Sequence, residues 1–177
     1  VLWRALTGGA LHLLAERRSL EPLWRTVQLA FLVSASAALL GTVLAWLTVR
    51  TDLPLRRFWR IVAPLPLVYP SFVGAAAFRS GLTPGGIVHD LAGHLGLDLQ
   101  LRLHGLVGAW LVLTLFTYPY VYLPVAARLS ALPSSLEENA RLLGDRPLQV
   151  FRRVVVPQAS SSIGAGSLLV FLYTVSD

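Results

Sequence analysis

The 177-residue sequence has no cysteine, no methionine and no lysine, and only 14% of it is charged. The lack of cysteine excludes disulfides, thiolate metal sites and cysteine nucleophiles, and leaves the redox compartment open. With no methionine, Val1 is not expected to be a natural start, and the end at Asp177, just after an apolar run, gives the same impression of a piece cut from a longer protein. The low charge falls well under the ~25% of an ordinary soluble domain. Since 55% of the residues are hydrophobic, the composition is that of a membrane protein. The net charge of +6 comes from arginine alone. Those arginines stand at the ends of apolar runs and do not form a basic stripe with interleaved aromatics, which favours a bilayer over nucleic acid as the partner. Also missing are a phosphate-binding glycine-lysine loop, a nucleophile elbow, a zinc-binding histidine pair and a dinucleotide fingerprint. Ser34, Ser36 and Ser160 to Ser162 have no arranged base, so nucleophilic catalysis is not expected. The chain should be no enzyme and should bind no cofactor or metal itself. No secretory signal peptide is visible.

What the sequence does have is apolar runs of membrane-spanning length. No charge occurs between Arg25 and Arg50, a stretch that as a helix spans about 36 Å and crosses a ~30 Å hydrocarbon core. Ala37, Gly41 and Ala45 lie at i, i+4 and i+8 and offer a small-residue face for close helix packing. Residues Ile61 to Phe78 form a second uncharged run, barely long enough to span, in which Pro64, Pro66 and Pro70 predict a kinked or partly unwound segment shielded by other helices. Broken segments of this kind often line a transport pathway, and Pro64, Pro66, Tyr69, Pro70, Tyr118 and Tyr120 are the candidate lining residues. Gly105 to Ala127 is the third expected span, loosened at one end by Pro119 and Pro124, and Gln158 to Ser176 opens a fourth, with Gly164 and Gly166 permitting close packing. The fold expected is all-α, a polytopic transmembrane helical bundle with about four spans. Residues 1–25 are read as an extracytoplasmic or interfacial segment, and 26–177 as the membrane domain. The polar connection Arg79 to His104 contains His89, Asp90, His94, Asp98 and His104, but His89 and His94 do not share a helical face, and a solvated loop is the better reading.

One polar stretch lies between two very apolar ones, Ser134 to Pro157. Ser134 with Glu137 and Ser135 with Glu138 are overlapping capping-box patterns that start a helix, and Gly144 stands where that helix should stop. Asp145 is the expected cap of a second short helix with Pro147 in its first turn. Leu148, Phe151 and Val155 would give that helix one apolar edge, and Arg146, Arg152 and Arg153 a basic flank. So short an element needs a partner to fold. The turns Arg50 to Arg60 and Arg128 to Arg153 hold nine of the arginines between them, whereas Arg79 to His104 holds two, so the positive-inside rule puts both turns in the cytoplasm. Arg4, Arg17, Arg18 and Arg25 dissent mildly on the outer side, partly offset by Glu16 and Glu21.

Glu138-Asn139-Ala140, then three residues, Gly144, nine residues, Val154, one residue and Val156-Pro157 resembles the EAA loop of ABC importer membrane subunits, E-A-A-x3-G-x9-I-x-L-P. Asn139 replaces the first alanine, and Val154 and Val156 stand at the two aliphatic positions. Arg50 to Pro54, Pro64-Leu65-Pro66 through Tyr69-Pro70-Ser71, and Tyr118 to Leu123 resemble the ferric-iron branch of these permeases. The resemblance runs from about Leu23 to Asp177. It implies a multi-pass protein of the bacterial inner membrane, with residues 128–162 as a cytoplasmic coupling loop docking on a separate, dimeric ATPase that uses ATP and magnesium. It also implies an extracytoplasmic substrate-binding protein and a second permease half, fused or separate. Glu138 and Arg146 would make rim contacts with the ATPase, Gly144 would hold the bend, and Phe151 would be the buried anchor. Ferric iron is the substrate this branch suggests; thiamine, polyamines and phosphonates are carried by related permeases. Read from the residues alone, the loop could instead lie on the bilayer surface. A secondary transporter is the other class, though it would normally carry ionisable groups inside its spans.

Overall fold

The computed structural model describes residues 17–70, 73–74, 76–77, 80, 106–133 and 135–176. Calls made on residues 1–16, on the histidines and aspartates of the 79–105 connection, and on Ser134 lie outside the described residues. Those described form α1 (Arg17–Arg50), α2 (Arg56–Val62), a 3-10 helix (Leu65–Val68), α3 (Leu106–Thr117), α4 (Pro119–Ala131), α5 (Ser135–Leu142), α6 (Pro147–Val150), a π-helical turn (Phe151–Val155) and α7 (Val156–Ser176). No strand occurs among them.

Three helical stretches are long and apolar enough to cross a membrane: Glu21–Arg50, Leu106–Ala131 and Pro147–Ser176. The first begins earlier than the boundary expected at residue 25, since α1 runs unbroken from Arg17. Glu21 and Arg25, one helical turn apart, pair at 2.7 Å and so support the extension. Pro22 falls inside α1. The second expected span, Ile61 to Phe78, is no continuous helix. α2 ends at Val62, Pro64 and Pro66 bracket the start of the 3-10 turn, and Tyr69 is extended. This is the unwinding that the prolines predicted, because each removes a donor and clashes with the preceding turn.

α1, α4 and α7 pack pairwise around a core of Val33, Ala37, Ala45, Val121, Val125, Leu129, Val155, Ala159 and Val170. Contacts fix their directions. Along α1, Trp110 Nε1 donates to Ser36 Oγ, Thr48 Oγ1 lies 3.2 Å from Tyr122 Oη, and Arg50 donates to the Leu129 and Leu132 carbonyls. α1 therefore runs parallel to the α3–α4 stretch. Ser34 donates to the Ser167 carbonyl while Trp46 stacks on Phe151, which sets α7 antiparallel to α1. Ser34 and Ser36 thus tie helices together, at roughly 0.6 kcal/mol per such bond in a membrane bundle.

The small-residue face of α1 is used as expected. Ala37 and Ala45 are fully buried. A Cβ on Gly41 would lie 2.9 Å from the Tyr118 carbonyl oxygen and from the Tyr122 amide nitrogen, so the two backbones touch there. On α7, a Cβ on Gly166 would lie 2.8 Å from Tyr120 O and Val121 Cα, whereas one on Gly164 would meet nothing within 4 Å. Only one of the two α7 glycines is needed for packing. Where the proline break would leave a carbonyl bare, the Tyr118 hydroxyl donates to Ala63 O at 2.7 Å. Arg60 Nε in turn donates to the Thr48 carbonyl, tying the 50–60 turn to α1.

Gly166→Leu should cost about 1–3 kcal/mol through forced helix separation, read as a lower melting temperature in detergent, while Gly164→Ala leaves that temperature unchanged or raised. Tyr118→Phe should cost about 1–3 kcal/mol in the same assay by orphaning a buried carbonyl.

Candidate functional site

The stretch between α4 and α7 builds the element that the sequence singled out. α5 ends in a Schellman turn: the Asp145 amide donates to Ala140 O at 3.1 Å and the Gly144 amide to Arg141 O at 3.0 Å. Gly144 sits at φ 93°, the left-handed conformation that this closure requires. α6 then starts with Arg146 as its N-cap, not Asp145, and Pro147 follows in its first turn. Arg146 takes the cap position because its extended backbone precedes the proline, and its amide is satisfied by Gln149 Oε1 at 2.7 Å. Asp145 instead accepts from Arg153 at 3.0 Å and so braces the second half of the loop against the turn.

The predicted apolar edge is split. A π-helical turn over Phe151–Val155 brings residues five apart into register, so that Val150 and Val155 are buried. Leu148 points outward, 65% exposed. Phe151, expected to project into a partner, is half-buried and packs on Trp46 of α1 with ring centroids 4.8 Å apart. The apolar side chains that project furthest are Leu142 and Leu143, 86% and 88% exposed, side by side at the end of α5 just before Gly144. These two leucines were missed; two adjacent leucines just before a helix-ending glycine, next to charged neighbours, were the available signal.

The other named residues divide by environment. Glu138, Asn139, Gly144, Arg146 and Pro157 are exposed, Val154 and Val156 are half-buried, and Ala140 is buried. Asn139 replaces alanine on the outer face of α5, where a polar side chain stays in solvent. Glu137, not Glu138, is the carboxylate turned into the protein. It lies 3.3 Å from Arg50 Nε and 3.8 Å from the exposed Arg141 guanidinium. The Arg50 approach is an ion pair without hydrogen-bond alignment at Nε. Arg50 spends its terminal nitrogen on the Leu129 and Leu132 carbonyls, at 2.6 and 2.8 Å. Arg50 and Glu137 were quoted in the sequence only as parts of motifs, and their pairing across distant positions left no local signature.

The pathway candidates also divide. A cavity of about 220 Å3 is lined by Leu67, Val68, Tyr69, Pro70, Phe116, Tyr120 and Tyr173. Tyr120 and Tyr173 rings stand 5.9 Å apart across it. Tyr118 does not line this cavity; its hydroxyl is committed to Ala63 O. Pro64 and Pro66 shape the break beside the cavity without lining it. Among the described residues no group of three or more His, Asp or Glu side chains is placed to hold a metal.

Chemically, then, the chain offers a membrane bundle, an aromatic cavity beside a broken helix, and a helix–turn–helix projection with exposed leucines at the end where both basic turns meet. Known proteins with the same sequence pattern are inner-membrane transport components. The chain is 34% identical over 168 residues to the inner membrane ABC transporter permease protein YdcU of Escherichia coli, an alignment covering 86% of this chain and 53% of that protein. It is 32% identical over 176 residues to the Fe(3+)-transport system permease protein FbpB 2 of Haemophilus influenzae, covering 98% of this chain and 31% of the relative. PhnU of Salmonella choleraesuis, a permease protein named for 2-aminoethylphosphonate transport, is 29% identical over 172 residues, or 94% of this chain and 59% of its own. The chain thus spans between about a third and three fifths of these relatives. Residues 37–177 match the family described as binding-protein-dependent transport system inner membrane component, and the chain, a multi-pass membrane protein by its three long apolar helices, belongs to that family.

Proposed function

We propose that the chain is the membrane-spanning part of a permease subunit in an ATP-driven importer, that residues 128–162 dock on a separate ATPase, and that the imported substrate is ferric iron. The observation that carries the coupling role is the α5–Gly144–α6 projection. It closes its own backbone by the Schellman turn yet leaves Leu142, Leu143 and Leu148 exposed beside Arg146, Arg152 and Arg153. Apolar knobs with charged rims on a turn fixed by a left-handed glycine suit a cleft on a partner. Burying a leucine is worth about 1.5–3 kcal/mol, so two or three suffice to hold such a helix pair in a cleft. ATP binding and magnesium belong to the ATPase in this scheme, and an extracytoplasmic binding protein delivers the substrate. A second permease half, fused or separate, completes the pathway.

Support for ferric iron comes from the stretches Arg50 to Pro54, Pro64 to Ser71 and Tyr118 to Leu123, and from similarity to a relative named for Fe(3+) transport. The relative named for 2-aminoethylphosphonate supports a second reading, an organic phosphonate as substrate. Tyr69, Tyr120 and Tyr173 around the cavity would be among the side chains passed by either.

Three outcomes test this. In a pull-down of the full-length permease with its ATPase, Leu142→Asp with Leu143→Asp should lower recovery of the ATPase at least about tenfold, since two charges replace two buried hot-spot leucines; Phe151→Ala, facing inward, should lower it less. Gly144→Val forces a branched residue into the left-handed region at about 1–2 kcal/mol and should leave membrane insertion intact while transport per ATP hydrolysed falls. Proteoliposomes with the binding protein should accumulate radioactive ferric iron and not 2-aminoethylphosphonate; the reverse outcome would replace the iron reading by the phosphonate one.

A further inference from the structure

In a coupling loop that is attached to the bundle only through its flanking helices, movement at the ATPase would reach α4 and α7 directly and α1 only by packing. The contacts describe a different connection. Trp46 and Arg50 are one turn apart on α1 and share a face. Phe151, from the second half of the loop, stacks on Trp46 with centroids 4.8 Å apart. Glu137, from the first half, pairs with Arg50 at 3.3 Å, with side chains only 9% and 11% exposed. The two halves of the loop on either side of Gly144 therefore grip one face of α1 at two successive turns. Arg50 adds a third attachment, since it also holds the carbonyl end of α4 through Leu129 and Leu132.

The geometry points to α1 as a driven element: the pairs Glu137–Arg50 and Phe151–Trp46 clamp its end to the coupling loop, so that loop and α1 move as one body when the ATPase closes. This rests on the coupling reading above. Two features make the clamp suited to transmission. The ion pair is nearly excluded from water, where breaking it leaves an uncompensated buried charge and is strongly disfavoured. The aromatic pair is apolar and directional, so it resists sliding as well as separation. The Glu137 carboxylate also faces Arg141 at 3.8 Å, but that arginine is 54% exposed and belongs to the same helix, so it cannot join α5 to α1.

Because the 177 residues contain no cysteine, paired spin labels can be placed with little background. The full-length permease, with its ATPase in proteoliposomes and any cysteines outside this stretch replaced, would carry labels at Asp52→Cys, just past α1, and Ser135→Cys, at the start of α5; both positions are outside the clamp. Pulsed electron resonance then gives the distance distribution without nucleotide and with ATP and vanadate. The expected result is one distribution, equal in mean and width in both states. In Glu137→Gln with Phe151→Ala, ATP should broaden it or shift it by about 1–5 Å, from the small helix shifts to the one-turn ratchets of switching proteins. If the double variant does not insert, Glu137→Gln alone should show the same change to a smaller degree. A shift of the unsubstituted clamp on ATP binding, or a variant that behaves like it, would overturn the proposal while leaving the coupling loop in place. Failure of the ATPase to co-purify with any of these proteins would overturn the coupling reading itself, and the clamp with it.

Discussion

The close approach of α1 to α4 is the constraint on which the rest of the structure depends. At Gly41 no Cβ could be added without meeting the Tyr118 carbonyl and the Tyr122 amide at 2.9 Å. In hydrocarbon no hydrophobic force drives helices together, so contact depth and the few hydrogen bonds it permits must do so. That depth places Tyr122 Oη beside Thr48 and Tyr118 Oη against the Ala63 carbonyl. It thereby lets the proline-broken segment pack on the bundle with a backbone acceptor satisfied by protein. α7 closes the same core from the other side, with Gly166 against the backbone of Tyr120 and Val121.

The loop beyond α4 obeys different physics. Inside, Val150, Val155 and Phe151 continue the core, and the π-helical turn rotates them into it at the expense of Leu148. Outside, Leu142, Leu143 and Leu148 are exposed. One side of the element is thus finished by the bundle and the other is exposed.

Much of this was legible beforehand because it is written at short range. Charge-free runs gave the long helices, prolines gave the break after Val62, and the Glu138–Gly144–Pro157 spacing gave the projection. The stop at Gly144 was legible because a left-handed residue has few alternatives. What escaped was set by phase or by distance. The π-helical turn slips the periodicity by one residue, which moved Leu148 out and left Phe151 facing Trp46. The cap shifted from Asp145 to Arg146, whose extended backbone precedes Pro147, and Asp145 pairs with Arg153. Glu137–Arg50 joins positions that no local pattern relates. The tyrosines near 120 were read as one group, yet Tyr118 and Tyr120 face different neighbours, and the cavity also recruits Phe116 and Tyr173.

Arg50 on the Leu129 and Leu132 carbonyls has a meaning for biogenesis as well. The last carbonyls of a helix have no acceptor role within it and must be met by a cap, by water or by another group. Here the group belongs to a helix synthesised some eighty residues earlier. Because α1 precedes α4 in the chain, the guanidinium is made before the carbonyls it meets, and docking of the two helices completes the end of α4. The later helix is then finished only in the presence of the earlier one. An α4 that does not meet α1 keeps the Leu132 carbonyl without this donor.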